Sequence, residues 1–208
     1  MRGFSLIEVL VSMVVVSVGA LSVASLQLVS KRAVRDAGQR LEATQLAHGL
    51  LERMNANSSM SALQTYVATA SPYLGLGRIS APSIAVPTPR CRSDSVVIEP
   101  CTPEQLAQLD LWLWERLLDG ATEQAGGADV GGLLFPTACL LPPAAGAGAA
   151  GNYTLVIAFR GTAALPNNPA IACGSGAAFS DGARLYGDSD EYRRAIIVQA
   201  FITPAAPK

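Results

Sequence analysis

Hydrophobic and polar positions divide this chain into two regimes. From Phe4 to Val29 the only charged residue is Glu8, within "RGFSLIEVLVSMVVVSVGALS" and its continuation. A bilayer span needs about 20 apolar residues at 1.5 Å rise, so this stretch is long enough to cross one. A secretory signal would end sooner, at a small-residue cleavage site, and no A-x-A-like break or helix breaker follows here. Instead the pattern changes within "LQLVSKRAVRDAGQRLEATQLAHGLLERMNANSS". Val34, Ala37, Leu41, Thr44, Ala47, Leu51 and Met54 recur at three- and four-residue intervals, as one face of an amphipathic helix does. Arg32, Arg35, Asp36, Gln39, Arg40, Glu42 and Arg53 fall mostly elsewhere on the wheel. The spacing predicts one helix of about 80 Å, apolar all round in its first half and two-faced in its second, ending at Asn55–Ser59.

Beyond the helix the punctuation changes. Residues 60–90 mix weak apolar spacing with prolines and glycines and read as a connector, and "SVVIEP" reads as a short strand. "CTPEQLAQLDLWLWERLLDG" is a well-marked helix: Thr102 is an N-cap, Pro103 suits the first helical position, and Gln105 completes a capping-box spacing. Leu106, Leu109, Leu113 and Leu117 make its expected buried face, flanked by Trp112 and Trp114, and Asp119-Gly120 supplies the stop. "YTLVIAFRG" (Tyr153 to Gly161) and "RRAIIVQAFI" (Arg193 to Ile202) are rich in β-branched and aromatic residues and read as strands. An antiparallel sheet packed on the long helix buries both, which predicts an α+β fold with a second, short helix. "TEQAGGADVGGLLFPTACLLPPAAGAGAAGN" and "LPNNPAIACGSGAAFSDGARLYG" read as loops.

Composition narrows the function. The 208 residues are 50% hydrophobic and 15% charged with a net charge of −1, so there is no basic footprint for nucleic acid. Cys91, Cys101, Cys139 and Cys173 contain no C-x-x-C pair, which removes zinc ribbons and thioredoxin-like motifs. An even count behind a membrane-targeting N-terminus fits two disulfides in an oxidising compartment, against free buried thiols. Three pairings are open; Cys91–Cys101 with Cys139–Cys173 is favoured because each closes a local, loop-rich segment. "GGADVGG" lacks the strand-to-helix context and lysine of a phosphate loop. "YGDSDEY" groups Asp188, Asp190 and Glu191 as a calcium loop would, but an EF-hand's further oxygen ligands are missing, so an acidic turn without an ion is expected. Around the single histidine, His48, no catalytic or metal constellation can be built. Neither an enzyme nor a cofactor is expected. The tryptophans have two readings, a contact surface between subunits or packing onto the domain's own sheet.

"GFSLIEVLV" is specific. It resembles the type IV pilins and their relatives, whose leader ends in Gly, whose next residue is a methylated Phe, and whose fifth mature residue is Glu; Gly3, Phe4 and Glu8 stand at those places. The resemblance implies cleavage by prepilin peptidase between Gly3 and Phe4 and methylation of the new amine, behind a leader of only Met1-Arg2-Gly3 with Arg2 kept inside. It divides the chain into a leader at 1–3, a membrane and filament-core half-helix at 4–30, an amphipathic half at 31–58 and a periplasmic, then extracellular, domain at 59–208. The cysteine followed by a T-P-x-x helix with Asp110 and two tryptophans resembles the PilV-type minor pilins.

These residues point to a structural role. A carboxylate at the centre of a bilayer helix costs about 2.5–3.5 kcal/mol. In a staggered filament, Glu8 of one subunit is positioned to neutralise the Phe4 amine of another, offsetting desolvation of both; the bland alternative is that Glu8 snorkels to the headgroups. The resemblance implies a minor pilin held in the inner membrane and then built into a pilus with other minor and major pilins. There it primes assembly and supports twitching motility or adhesion. A minor pseudopilin of a type II secretion system shares the same N-terminus. A membrane-tethered enzyme would need a clustered acid, base or nucleophile, and a DNA-binding pilin a basic patch.

Overall fold

The computed structural model describes residues 5–71, 74–75, 87, 91, 101–121, 123–129, 131–166, 170–179 and 182–206. Gly3, Phe4 and the strand expected at "SVVIEP" lie outside them. The elements are α1 (Leu6–Ala56), α2 (Met60–Thr69), α3 (Pro103–Leu118), β1 (Gln124–Ala125), β2 (Ala128–Asp129), β3 (Thr137–Leu141), β4 (Gly151–Arg160) and β5 (Arg193–Ile202). The chain separates into two compact units, Met1–Gly38 and Gln39–Lys208.

The described part of the first unit is Ser5 and α1 as far as Gly38, and the rest of α1 belongs to the second. The apolar side chains from Leu6 to Val29 are exposed on every side, with no core of their own. Among the described residues one helix, α1, is long and apolar enough to cross a membrane.

In the second unit three helices share one core with a sheet. β3, β4 and β5 form an antiparallel sheet in that order. Register puts Ala138, Ile157 and Ile196 in one row and Leu140, Leu155 and Val198 in the next, with Tyr153 opposite Ala200 beyond. This face joins a single cluster with Ala43, Ala47, Leu50 and Met54 of α1, Leu63 and Tyr66 of α2, and Ala107, Leu111, Trp114 and Leu118 of α3. The α+β arrangement expected from the sequence, a long helix with an antiparallel sheet and a short helix, is therefore the observed one.

Several expectations are corrected. The helix stop lies where expected, after Ala56, but the chain re-enters helix almost at once: Ser59 caps α2, its side chain accepting from Ala62 N at 3.2 Å. Residues 60–69 are thus helix rather than connector. The α1 face is also turned. Ala47, Leu51 and Met54 of the expected face are buried, but Leu41 is 61% exposed and Val34 is exposed too, while Ala43, off that face, is buried. In α3 the expected capping box forms, Gln105 N donating to Thr102 Oγ1 (3.3 Å) and Thr102 N to Gln105 Oε1 (2.9 Å). Yet its buried seam is Ala107, Leu111, Trp114 and Leu118, with Leu109 and Glu115, and Leu106 is exposed. The seam follows the large indole and the small alanine rather than the run of leucines. β3 and the β1–β2 hairpin replace an expected loop. Gly126 and Gly127, at φ 60° and 80°, form the two-residue turn of that hairpin, because glycine adopts two successive left-handed conformations without strain.

The seam in α3 can be checked by truncation. Leu111→Ala is expected to cost about 2–5 kcal/mol in denaturant unfolding of the detergent-solubilised chain, and Leu106→Ala less than about 1 kcal/mol. Equal losses would restore the leucine face.

Candidate functional site

Glu8 lies in the first turn of α1, exposed, its amide donating to Ser5 O at 3.0 Å. Four serines of the apolar span bond their own helix: Ser12 Oγ donates to Val9 O (2.8 Å), Ser17 to Met13 O (2.7 Å), Ser22 to Val18 O (2.9 Å) and Ser25 to Ser22 O (2.8 Å). Those hydroxyls are satisfied internally, which a hydrocarbon environment demands. Glu8 is left as the ionisable group of the span, and Lys31 and Arg32 close it with positive charge.

In the globular unit the structure joins Cys91 to Cys101 and Cys139 to Cys173, across 10 and 34 residues. The two tryptophans part company. Trp114 is 1% exposed, and its Nε1–H donates to Leu46 O of α1 at 2.8 Å. It takes the packing role, and the contact-surface reading is corrected for this residue, since a buried indole has nothing to offer another subunit. Trp112 is half-buried with the Arg116 guanidinium 5.0 Å from its ring centroid. The acidic turn diverges: Asp188 is exposed, Glu191 accepts from Ser189 N (3.0 Å), and Asp190 is buried, accepting from Ser175 Oγ (2.8 Å) and Gly176 N (3.0 Å). Among the described residues no three His, Cys, Asp or Glu side chains gather as a metal site. His48 is exposed on α1.

Sequence reading does not anticipate the polar fastenings between helices. Tyr66 of α2 donates to Asp110 Oδ2 of α3 at 2.6 Å, and Arg53 of α1 lies 3.7 Å from the other oxygen of the same carboxylate. Asn57 Nδ2 donates to Pro103 O at 2.8 Å. A second buried phenol, Tyr186, donates to Phe135 O at 2.8 Å and pairs with Thr137 Oγ1 at 2.9 Å. Burial raises the pKa of both phenols well above the ordinary tyrosine value; for Tyr66 the Asp110 carboxylate adds to it, and for Tyr186 the Thr137 bond and Arg193 oppose it. The one available signal for these pairs is aromatic and acidic residues at helical spacing from seam positions, which names no partner.

The outer face of the sheet carries Cys139, Val156 and Ile197 in one row and Leu141, Thr154 and Gln199 in the next. Residues Ala170–Gly174 stand beside it and enclose a groove of about 590 Å³.

Residues 1–24 match the family model of the prokaryotic N-terminal methylation motif, and residues 25–112 that of the type IV pilin Tt1218. No curated protein and no solved structure matches the chain. An apolar helix that opens with a methylation motif and leads into an α+β domain is a pilin-like arrangement. Through its first 112 residues the chain is similar to these two families.

The buried phenols set an alkaline limit. A tyrosine whose folded pKa is raised contributes stability that is complete below its unfolded value, about 10, and is lost as pH rises beyond it. Of the five tyrosines, Tyr66 and Tyr186 are expected to ionise only as the domain unfolds. Absorbance titration of the phenolates should therefore show a late, cooperative phase coincident with loss of circular dichroism. Smooth ionisation of all phenols in the folded protein would contradict it.

Proposed function

We propose that this chain is a minor pilin of a type IV pilus, of the PilV type, held in the inner membrane before assembly and then incorporated with other minor and major pilins. The observation that carries this reading is Glu8: the single carboxylate of an apolar span, Leu6 to Val29, that is exposed on every side, at the fifth position after Gly3 of a methylation motif. In this reading prepilin peptidase cuts between Gly3 and Phe4, and the Phe4 amine is methylated and stays cationic. Alone in lipid, the Glu8 carboxylate costs about 2.5–3.5 kcal/mol. Docking beside the Phe4 amine of a neighbouring subunit replaces that cost with a paired charge, so the same group both favours extraction from the bilayer and fixes the stagger between helices. The apolar half-helix supplies the packing that every subunit shares. The globular unit supplies partner choice, with half-buried Trp112 and its Arg116 neighbour as one contact and the exposed Leu41 and Leu106 as others. Priming of assembly, and through it twitching motility or adhesion, is the role such a subunit plays.

A minor pseudopilin of a type II secretion system would use Glu8 in the same way. Loss of surface pili on deletion of the gene with secretion intact supports the pilus; the reverse result supports the pseudopilin.

Two substitutions test the mechanism. Gly3→Leu is expected to leave full-length protein by intact-mass measurement, and mature protein in that variant would contradict the cleavage site. Glu8→Ala is expected to be processed and remain in the membrane fraction while its content in sheared pili falls by about tenfold or more, the factor that about 1.4 kcal/mol of lost pairing produces. Incorporation at the parental level would remove Glu8 from the mechanism.

A further inference from the structure

The segment Ala170–Gly176 forms a strap beside the outer face of the sheet, and Cys173 ties it to Cys139 of β3. The bond is not its only fastening. Arg193, buried at the start of β5, donates from Nη1 to Cys173 O at 2.8 Å. Asp190, in the turn that leads into β5 and also buried, accepts from Ser175 Oγ at 2.8 Å and from Gly176 N at 3.0 Å. Asp190 holds φ at +57°, a left-handed conformation that a non-glycine residue adopts at a cost and that aims its carboxylate into the strap. The strap is shaped to lie close: Gly174, at φ +70°, would place a Cβ 3.2 Å from side-chain carbons of Thr137 and Tyr186. Both of these charged grips on the strap come from one short run, Asp190 to Arg193, fixed by the pairing of β5 with β4.

We infer that Asp190 and Arg193 form a polar latch that holds the strap on the sheet independently of the Cys139–Cys173 bond. Neither fastening needs the other. The latch groups are buried and charged, so their bonds to the strap are stronger than ordinary backbone bonds. They also act at two places, on the carbonyl of Cys173 itself and on the Ser175–Gly176 turn beyond it. The consequence is that Cys173 is presented to Cys139 by the fold itself, so the groove wall keeps its place before the sulfurs join. Among the three pairings open to four cysteines, the latch favours this one. The inference is independent of the assembly reading.

Hydrogen–deuterium exchange of the full-length chain in detergent micelles tests it. Three variants are compared with the parent: Cys139→Ser/Cys173→Ser, Asp190→Gly with the disulfide intact, and all three substitutions together. Glycine suits φ +57°, so that change removes the carboxylate without backbone strain; Asp190→Asn, which keeps the side chain's shape, repeats the test should the glycine variant fold poorly. Peptides covering Ala170–Ala178 are expected to exchange within about threefold of the parent when either fastening is lost, and roughly 100-fold faster or more when both are. Peptides from β4 are expected to stay protected throughout. Fast strap exchange in the serine variant alone would overturn the inference, and so would fast exchange in Asp190→Gly with the disulfide present. A protected strap in the triple variant, or loss of protection in β4 together with the strap, would overturn it too.

Discussion

The close approach that Ala43 and Ala47 allow on one side of α1 is the constraint around which the globular unit is arranged. With no side chain beyond a methyl at those two positions, the indole of Trp114 reaches the helix backbone itself and donates to Leu46 O. A mid-helix carbonyl already accepts one bond within its helix, and its second lone pair is open only where neighbouring side chains are small. The remaining placements depend on that contact. Trp114 sets the rotation of α3, and that rotation turns Asp110 toward Tyr66 and Arg53, so that three helices meet at one carboxylate. The same rotation buries Glu115, which accepts from Gly75 N at 3.2 Å beside the Leu74–Ala138 pairing at the edge of β3.

The sheet is fastened differently. Of the 15 basic residues only Lys31 and Lys208 are lysines, and the structure gives that imbalance a purpose in the carboxy-terminal half. Arg160 donates to Leu185 O, Arg193 to Cys173 O and Arg194 to Ala163 O, so each guanidinium grips a loop carbonyl. A planar fork with several fixed donors can hold a carbonyl and also lie along apolar surface or an aromatic ring, as Arg160 does over Tyr192 at 4.8 Å. A lysine ammonium is more strongly hydrated and would lose more by being drawn down onto the sheet. The loops of this half are rich in glycine, alanine and proline and bring little apolar surface of their own, so charge-to-carbonyl bonds take over the ordering that a larger core would provide.

The features legible in the sequence are those that depend on local chemistry. The capping box at Thr102–Gln105, the end of α1 near Asn55 and the two β-branched strands are each decided within a few residues, and each is found where expected. Rotational setting is not legible. In α1 and α3 the apolar periodicity fits more than one face, and counting large aliphatic residues chooses Leu41 and Leu106, which are exposed, over Ala43 and Ala107, which are buried. A small residue at a helix crossing leaves no hydrophobic signal because its contribution is the room it makes. β3 is hidden for a related reason: five residues, "TACLL", closed by Pro142-Pro143, owe their strand geometry to pairing with β4 rather than to propensity. α2 is hidden by weak apolar spacing, although Ser59 marks its start. At the amino terminus the motif is legible because it is chemical rather than geometric, a carboxylate where an apolar run should have none.

The two units differ in what they leave unsatisfied. Along the span the hydroxyls of Ser12, Ser17, Ser22 and Ser25 return to their own helix. They therefore offer little to tell one lateral neighbour from another. In the proposed assembly, direction and register fall to the charge of Glu8, and the choice of neighbour to surfaces of the globular unit. Exposed apolar residues of the globular unit include Leu41 on α1, Met60 on α2, Leu106 on α3, Leu141 on β3 and Ile197 and Phe201 on β5, outside a core that takes in the largest buried side chains of all three helices. They lie on five different elements rather than on one. That distribution is what the proposed assembly asks of a subunit that meets several neighbours through small contacts.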